Sequence, residues 1–181
     1  MMEHIRALIR RPVTWLVLTT GAAAAVVALA LFQPWKLWVD QIVHEAPPSA
    51  AQPAAATGAT MVLARGTFIS HEHATTGTAK IVQTSDGVRY LRLEDLDTSN
   101  GPLLKVWLSD APVTSGTAGW RVFDHSAHVD LGPLKGNQGS QNYPLAGGVD
   151  LSRYRSVSIW CARFHVSFGA AELTTPPGTT P

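Results

Sequence analysis

The sequence predicts an all-β domain, an antiparallel β-sandwich or barrel-like fold, preceded by one N-terminal transmembrane helix. Short strand-like runs separated by turn residues recur between residues 61 and 173, and no long window there keeps a helical period. Evenly spaced short strands are typical of sandwiches and barrels. A charge-free apolar run, Val13 to Phe32, precedes them. These features divide the chain into a cytoplasmic N-terminus (1–11), a transmembrane helix (12–34), an Ala/Pro-rich tether (35–60), the β domain (61–173) and a disordered tail (174–181).

The apolar run is long enough to cross a bilayer, because about 20 helical residues span a hydrocarbon core of ~30 Å. Three arginines (Arg6, Arg10 and Arg11) precede the run, whereas only Lys36 follows it before Asp40. The positive-inside rule then puts the N-terminus in the cytoplasm and the β domain on the extracytoplasmic side. We therefore expect a single-pass protein of the cell membrane, with the lipid bilayer as the partner of residues 12–34.

A cleaved signal peptide is the alternative, because Ala28-Leu29-Ala30 has the small-x-small form of a cleavage site. The apolar run, however, exceeds the ~7–15 residues of a signal-peptide core, and bulky Trp35 and Trp38 follow it. These features favour an uncleaved anchor.

Polar segments flank the predicted β domain. From His44 to Thr60 the chain is dominated by Ala, Pro, Ser, Thr and Gly, a composition that cannot bury enough apolar surface to fold and is typical of a tether. Residues 174–181 have a similar composition. The formal net charge is only +1, so the charge gives no indication of nucleic-acid binding.

Within the β domain, alternation of apolar and polar residues and turn residues locate the strands. Ser85-Asp86-Gly87 predicts a hairpin between two of them. Residues 135–141, with two glycines, are expected to form a loop. The predicted strands are Met61–Ile69, Thr78–Thr84, Val88–Glu94, Leu103–Ser109, His128–Leu131, Tyr143–Leu145 and a long final strand, Ser156–Phe168.

The final strand carries Cys161, the single cysteine of the chain. Period-two alternation gives Trp160 and Phe164 one face, the expected core, and puts Cys161 and Arg163 on the other. A lone thiol in an exported domain is buried and inert, paired between chains, or reactive. Arg163 would stabilise a thiolate and so make Cys161 reactive or able to bind a cofactor. Alternatively, Cys161 is a small core residue.

Other polar groups offer weaker sites. His71-Glu72-His73 could join Cys161 as a copper or zinc site, but a solvated strand end is the more ordinary interpretation. His165 is expected to be a partly exposed sheet residue. Residues 95–101 begin like a calcium loop but lack its required glycine, so a turn is favoured. Asp124-His125-Ser126 does not form a triad, because adjacent residues do not converge.

Six segments together resemble the DM-thirteen domain family, in the family's order and over essentially all of residues 66–173. They are Gly66-Thr67-Phe68, Gly77-Thr78-Ala79, Leu91 to Leu103, Asp130 to Gly139, Tyr154 to Cys161 and Phe168 to Ala171. The resemblance implies an extracytoplasmic all-β domain with an electron-transfer role, and it makes Cys161 the family's nearly invariant cysteine.

Two hypotheses follow from the residues and the resemblance. In the first, a membrane-anchored domain transfers electrons through Cys161, as a thiol or as a ligand to a cofactor, with Arg163 as the stabilising cation. Haem or copper would suit such a role, although no motif indicates either, and the redox or cell-envelope partner is unknown. In the second, the domain is a non-catalytic binding or scaffold module of the cell envelope, with Cys161 in its core.

Overall fold

The computed structural model describes residues 12–49 and 60–176. The one α-helix among these residues, α1 (Pro12–Phe32), has no buried residue. The segment Pro12–Lys36 has a mean hydropathy of 2.2, so α1 is long and apolar enough to cross a membrane. A short 3-10 helix, Pro34–Trp38, follows it. The predictions for residues 1–11, for the middle of the tether and for the last five residues of the tail lie outside the described residues.

The rest of the described chain folds as two five-stranded β-sheets. The first sheet has the strand order β1-β8-β5-β4-β2, and the second has β3-β10-β9-β6-β7. All pairs of strands are antiparallel except β1 with β8. The strands are β1 (Ile42–His44), β2 (Met61–Thr67), β3 (Ile69–Ser70), β4 (Thr75–Gln83), β5 (Arg89–Thr98), β6 (Leu104–Ser109), β7 (His128–Pro133), β8 (Gln138–Leu145), β9 (Ser156–Cys161) and β10 (Val166–Glu172).

The two sheets share one hydrophobic core, which makes the fold a sandwich and confirms the predicted all-β class. Ile81 and Leu91 of the first sheet belong to the same buried cluster as Val106 and Ile159 of the second. The predicted hairpin is β4–β5, and Gly87 in its turn has a φ of 83°, a conformation that glycine adopts without strain.

The predicted strand Ser156–Phe168 is wrong, because the structure breaks it into the hairpin β9–β10. Residues 162–165 form the turn, and Val166 then pairs with Cys161. The predicted core face is also wrong for β9: Val157, Ile159 and Cys161 point into the shared core. Trp160 lies on the outer face of β9, where it belongs to a second buried cluster that also includes Phe123. Phe123 lies in the second of two 3-10 helices that follow β6, Thr117–Gly119 and Val122–His125.

The predicted tether is also wrong at its start, because β1 adds a parallel strand to the edge of the first sheet. Gly136 and Gly139 make room for it: an added Cβ would lie 2.4 Å from the Gln41 carbonyl oxygen and 2.1 Å from that of Val43, respectively. Glu45 fixes the end of the strand through Lys135 Nζ at 2.7 Å and the Asn142 N–H at 2.7 Å. The segment after α1 is therefore part of the domain.

Candidate functional site

The turn of the β9–β10 hairpin lies against the end of α1. Phe164, at the tip of this turn, stacks on Phe32 with ring centroids 5.9 Å apart. Phe164 is nevertheless 47% exposed. The end of the sandwich that carries this turn is called the α1-facing end below.

Cys161 is the last residue of β9, directly behind this turn, and its side chain is completely buried. It pairs across the sheet with Leu104 of β6 and Val166 of β10. Burial raises the pKa of the Cys161 thiol, and the backbone N–H groups of Phe164, Arg163 and Leu103 offset only part of this effect. The thiol is therefore protonated at neutral pH.

Arg163 lies in the turn and is exposed. The strand face that was predicted to join it to Cys161 does not exist, because the strand ends at Cys161. Arg163 acts on the thiol through its backbone N–H rather than through its guanidinium group. Stabilisation of a Cys161 thiolate by the Arg163 side chain remains a prediction.

The two histidines of His71-Glu72-His73 have different surroundings and different hydrogen-bond partners. His71 is buried, with Nδ1 at 2.9 Å from Ser167 Oγ and Nε2 at 3.0 Å from the Thr114 carbonyl oxygen. Burial lowers the pKa of His71. His73 Nε2 instead lies 2.6 Å from Glu72. Residues 12–49 and 60–176 bring no three His, Cys, Asp or Glu residues together as a metal site, so the copper or zinc arrangement with Cys161 does not form.

The remaining sequence candidates take part in local contacts. Asp124 Oδ1 lies 3.0 Å from His165 Nδ1, and Ser126 Oγ donates to the Val122 carbonyl oxygen at 2.7 Å, so no triad forms. His165 is exposed, as expected, but it lies in the turn with a φ of 52° rather than in a strand. The turn expected at residues 95–101 is wrong for its first four residues, which continue β5 as far as Thr98. Beyond the strand, Asn100 Oδ1 accepts a hydrogen bond from the Gly101 N–H at 2.8 Å.

A cavity of about 500 Å³ opens at the α1-facing end. Phe32, Gln33, Pro34 and Lys36 form one side of it, and Glu72 and His73 contribute a hydrogen-bonded pair. Residues beside Cys161 form part of its wall: Val166 is the cross-strand partner of the thiol, and the Phe164 N–H acts on it. The other lining residues are Asn100, Gly101, Pro102, Trp120, Arg121 and Phe168.

Neither this cavity nor an aromatic stack on the outer face of the second sheet is evident from the sequence. Trp107 lies between Trp160 and His128, with centroid distances of 4.8 Å and 3.7 Å. Trp107 Nε1 is the one buried side-chain nitrogen or oxygen without a hydrogen-bond partner in the described part of the chain. Only the tryptophan content of β6 and β9 could have indicated this stack.

Comparison with known proteins gives one match. The family model described as "Electron transfer DM13" matches residues 67–173, more than half of the chain. The match extends from the end of β2 to just beyond β10 and includes Cys161 and every cavity-lining residue that the sandwich contributes. No curated protein and no solved structure shows significant similarity to this chain.

Proposed function

Because this chain belongs to the DM-thirteen electron-transfer family, we propose that it is a membrane-anchored, extracytoplasmic domain that transfers electrons through Cys161. The anchor in this proposal is α1, and the positive-inside rule gives the orientation. The observation that carries the proposal is the position of the single cysteine. It lies at the α1-facing end, behind an exposed turn and beside a cavity.

The state of the thiol limits the chemistry. A buried, protonated thiol is a poor nucleophile, because the thiolate is the reactive form. Cys161 therefore reacts only when the turn of residues 162–165 opens and lets water reach the sulfur. Such local opening costs less than global unfolding, because the turn residues are largely exposed and bury little apolar surface. In the opened state the Arg163 guanidinium is free to approach the thiolate and to lower the pKa of Cys161.

Thiol–disulfide exchange is the simplest electron transfer that a lone cysteine can perform. Cys161 loses its proton to water and attacks one sulfur of a partner disulfide. A mixed disulfide forms, and the second sulfur of the partner leaves as a thiolate. The Cys161 sulfur is thereby oxidised and the departing sulfur of the partner is reduced, while the attacked sulfur stays at the disulfide level. Haem or copper ligation by Cys161 would require further ligands that the described residues do not bring to the sulfur in this conformation.

A non-catalytic binding or scaffold module is the second candidate. One observation favours it: the Cys161 side chain is completely buried among the apolar side chains of the shared core. In this case the thiol contributes packing, and the functional surface lies elsewhere on the domain.

Thiol chemistry on the purified full-length chain tests the proposal, since every thiol signal must come from Cys161. Under native conditions we expect slow alkylation that accelerates with rising pH, and a mixed disulfide with glutathione disulfide detected by intact mass. Arg163→Ala should slow both reactions. Arg155→Ala should not, because this exposed arginine directly precedes β9, at the end of the strand away from Cys161. An absorption spectrum and metal analysis of the same sample reveal a bound cofactor. A thiol that reacts only after unfolding, in a protein without chromophore or metal, would establish the scaffold candidate instead.

A further inference from the structure

We propose that the cavity at the α1-facing end binds one anionic phospholipid, with its phosphate between Lys36 and Arg121 and an acyl chain against the aromatic wall. This inference rests on the membrane-anchored part of the proposed function. It does not require Cys161 to transfer electrons.

The first argument is location. Phe32 is the last residue of α1, and Phe32, Gln33 and Pro34 line the cavity. The end of a membrane-spanning helix lies at the level of the lipid head groups. Exposed Trp35 and Trp38 follow at once, as is typical of residues at the interface between bilayer and water. The cavity therefore opens where phospholipid head groups are concentrated.

The second argument is charge. Lys36 and Arg121 line the cavity, and neither side chain forms a hydrogen bond or an ion pair with any residue in 12–49 or 60–176. Glu72 is the single carboxylate in the lining, and it is bonded to His73. Most other cations of the sandwich behave differently: Lys80, Arg92, Lys105, Lys135 and Arg153 each have a carboxylate partner. Two unpaired cations at one cavity indicate an anionic ligand.

The third argument is shape and polarity. Trp120, Phe164, Phe168 and Val166 give the cavity an apolar wall. A volume of about 500 Å³ is within the ~300–1,000 Å³ of sites for small organic ligands, so it can hold a phosphate group and a segment of acyl chain. A soluble anion would leave this wall exposed to water, and a neutral membrane compound would leave the two cations unpaired. An anionic phospholipid satisfies both.

Lipid retention by the full-length chain tests the inference. The protein is reconstituted into nanodiscs of equal parts phosphatidylglycerol and phosphatidylcholine, released into the gas phase and examined by native mass spectrometry. We expect one phosphatidylglycerol to be retained in preference to phosphatidylcholine. Each cation near a membrane surface contributes about 1 kcal/mol, so Lys36→Gln with Arg121→Gln should weaken retention roughly tenfold to thirtyfold.

The matched control is Arg89→Gln with Arg155→Gln, which removes two cations from a second cavity that shares no lining residue with the first. This pair should retain the lipid as the unchanged protein does. Equal retention of the two lipids, or no effect of the Lys36 and Arg121 changes, would overturn the inference. A bound quinone or other neutral compound in place of the phospholipid would overturn it as well.

Quenching by brominated phosphatidylglycerol gives an independent readout of position. The decrease in fluorescence on adding this lipid should be larger for the unchanged chain than for Trp120→Phe, and the difference should vanish when phosphatidylcholine is the brominated lipid. If the Lys36 and Arg121 variant fails to fold, Trp120→Phe still decides the matter. Release of the chain from membranes by alkaline carbonate would refute the anchor, whereas a retained chain that binds no lipid would refute only this inference.

Discussion

Two opposing effects determine the pKa of the Cys161 thiol. Burial among apolar side chains favours the neutral thiol, while three backbone N–H groups directed at it favour the thiolate. Burial is the larger effect and raises the pKa, so the folded domain stores Cys161 in its unreactive form.

We expect the raised pKa of Cys161 to make the domain less stable in alkaline solution. Below the ordinary pKa of a thiol, near 8.5, the folded and unfolded chains both hold the proton, and the contribution of the thiol is complete. As the pH rises beyond this value the unfolded chain releases the proton first, so the free energy of unfolding falls until the folded pKa is passed. Denaturant unfolding between pH 7 and pH 10 measures the slope.

Cys161→Ala is the control for this experiment, because Tyr143, whose pKa is also raised by burial, is present in both proteins. The alanine variant should lose less stability over the same interval. Identical slopes for the two proteins would show that the thiol is not protected from ionisation by the fold.

At the scale of the element, β1 is the unexpected feature. Asn137 fixes the two residues that precede β1. Its Oδ1 accepts a hydrogen bond from the Gln41 N–H at 2.7 Å, and its Nδ2 donates one to Asp40 Oδ1 at 2.8 Å. This asparagine lies in the Asp130 to Gly139 segment by which the sequence resembles its family, whereas β1 lies outside the matched residues. The loop predicted at residues 135–141 is wrong from Gln138 onward, where β8 begins, and these first residues of β8 pair with β1.

Gly136→Ala should detach β1 while leaving the rest of the sandwich folded. The added methyl group would meet the Gln41 carbonyl oxygen and Val43 Cγ2, and overpacking of this kind costs about 1–3 kcal/mol. Hydrogen exchange at residues 42–44 and 138–140 should become faster. Gly147→Ala is the matched control, because an added Cβ there meets nothing within 4 Å. Unchanged exchange in Gly136→Ala would mean that β1 is not held by this contact.

Acidic pH should weaken the docking of β1 on the sandwich. Partial burial alone would raise the pKa of Glu45, but hydrogen bonds from Lys135 and the Asn142 N–H outweigh it and lower the pKa below its ordinary value of 4.5. The contribution of Glu45 to docking is therefore complete above that value and is lost as the pH falls through the lower folded value. The amide signal of Asn142, followed by NMR, should shift with this titration. Glu45→Gln should abolish the shift, and a midpoint at or above 4.5 would contradict the assignment.

At the scale of the whole molecule, orientation decides whether the proposed function is tenable. A reporter enzyme fused after Pro181 should be active only when the fusion lies outside the cytoplasm, and the chain should remain in the membrane fraction after a carbonate wash. A fusion of the same reporter after a chain shortened to begin at Met61 should lose membrane association. A soluble mature chain that begins near Leu31 would instead establish the cleaved signal peptide.

The sequence predicted the parts of the molecule that local signals determine. Alternation located β4, β5 and β6, and Ser85-Asp86-Gly87 placed the first hairpin because glycine permits its turn. The same alternation failed at the second hairpin, since Ala162 and Phe164 continue the apolar pattern through a turn with neither glycine nor proline. His165 supplies the positive φ there, which no pattern signals.

The candidate site was predictable only in its cysteine. The core face of β9 could not be assigned because both faces are buried, the outer one in a cluster with Phe123 and Val122 from the segment between β6 and β7. The cavity combines Lys36 with Arg121, residues far apart in the sequence that only the tertiary fold brings together. The docking of β1 depends in the same way on the contact between Gln41 and Gly136.

The docking of β1 also sets how far the domain can travel. Nine residues separate Phe32 from Ile42, and the 3-10 helix takes up five of them, which leaves a leash of at most about 25 Å. With α1 in a bilayer, the sandwich cannot sample the depth of the surrounding compartment. Its encounters become a search in two dimensions, across the plane of the membrane. Partners that are bound to the same membrane encounter the sandwich by diffusion within its plane, whereas soluble partners must first reach the membrane surface.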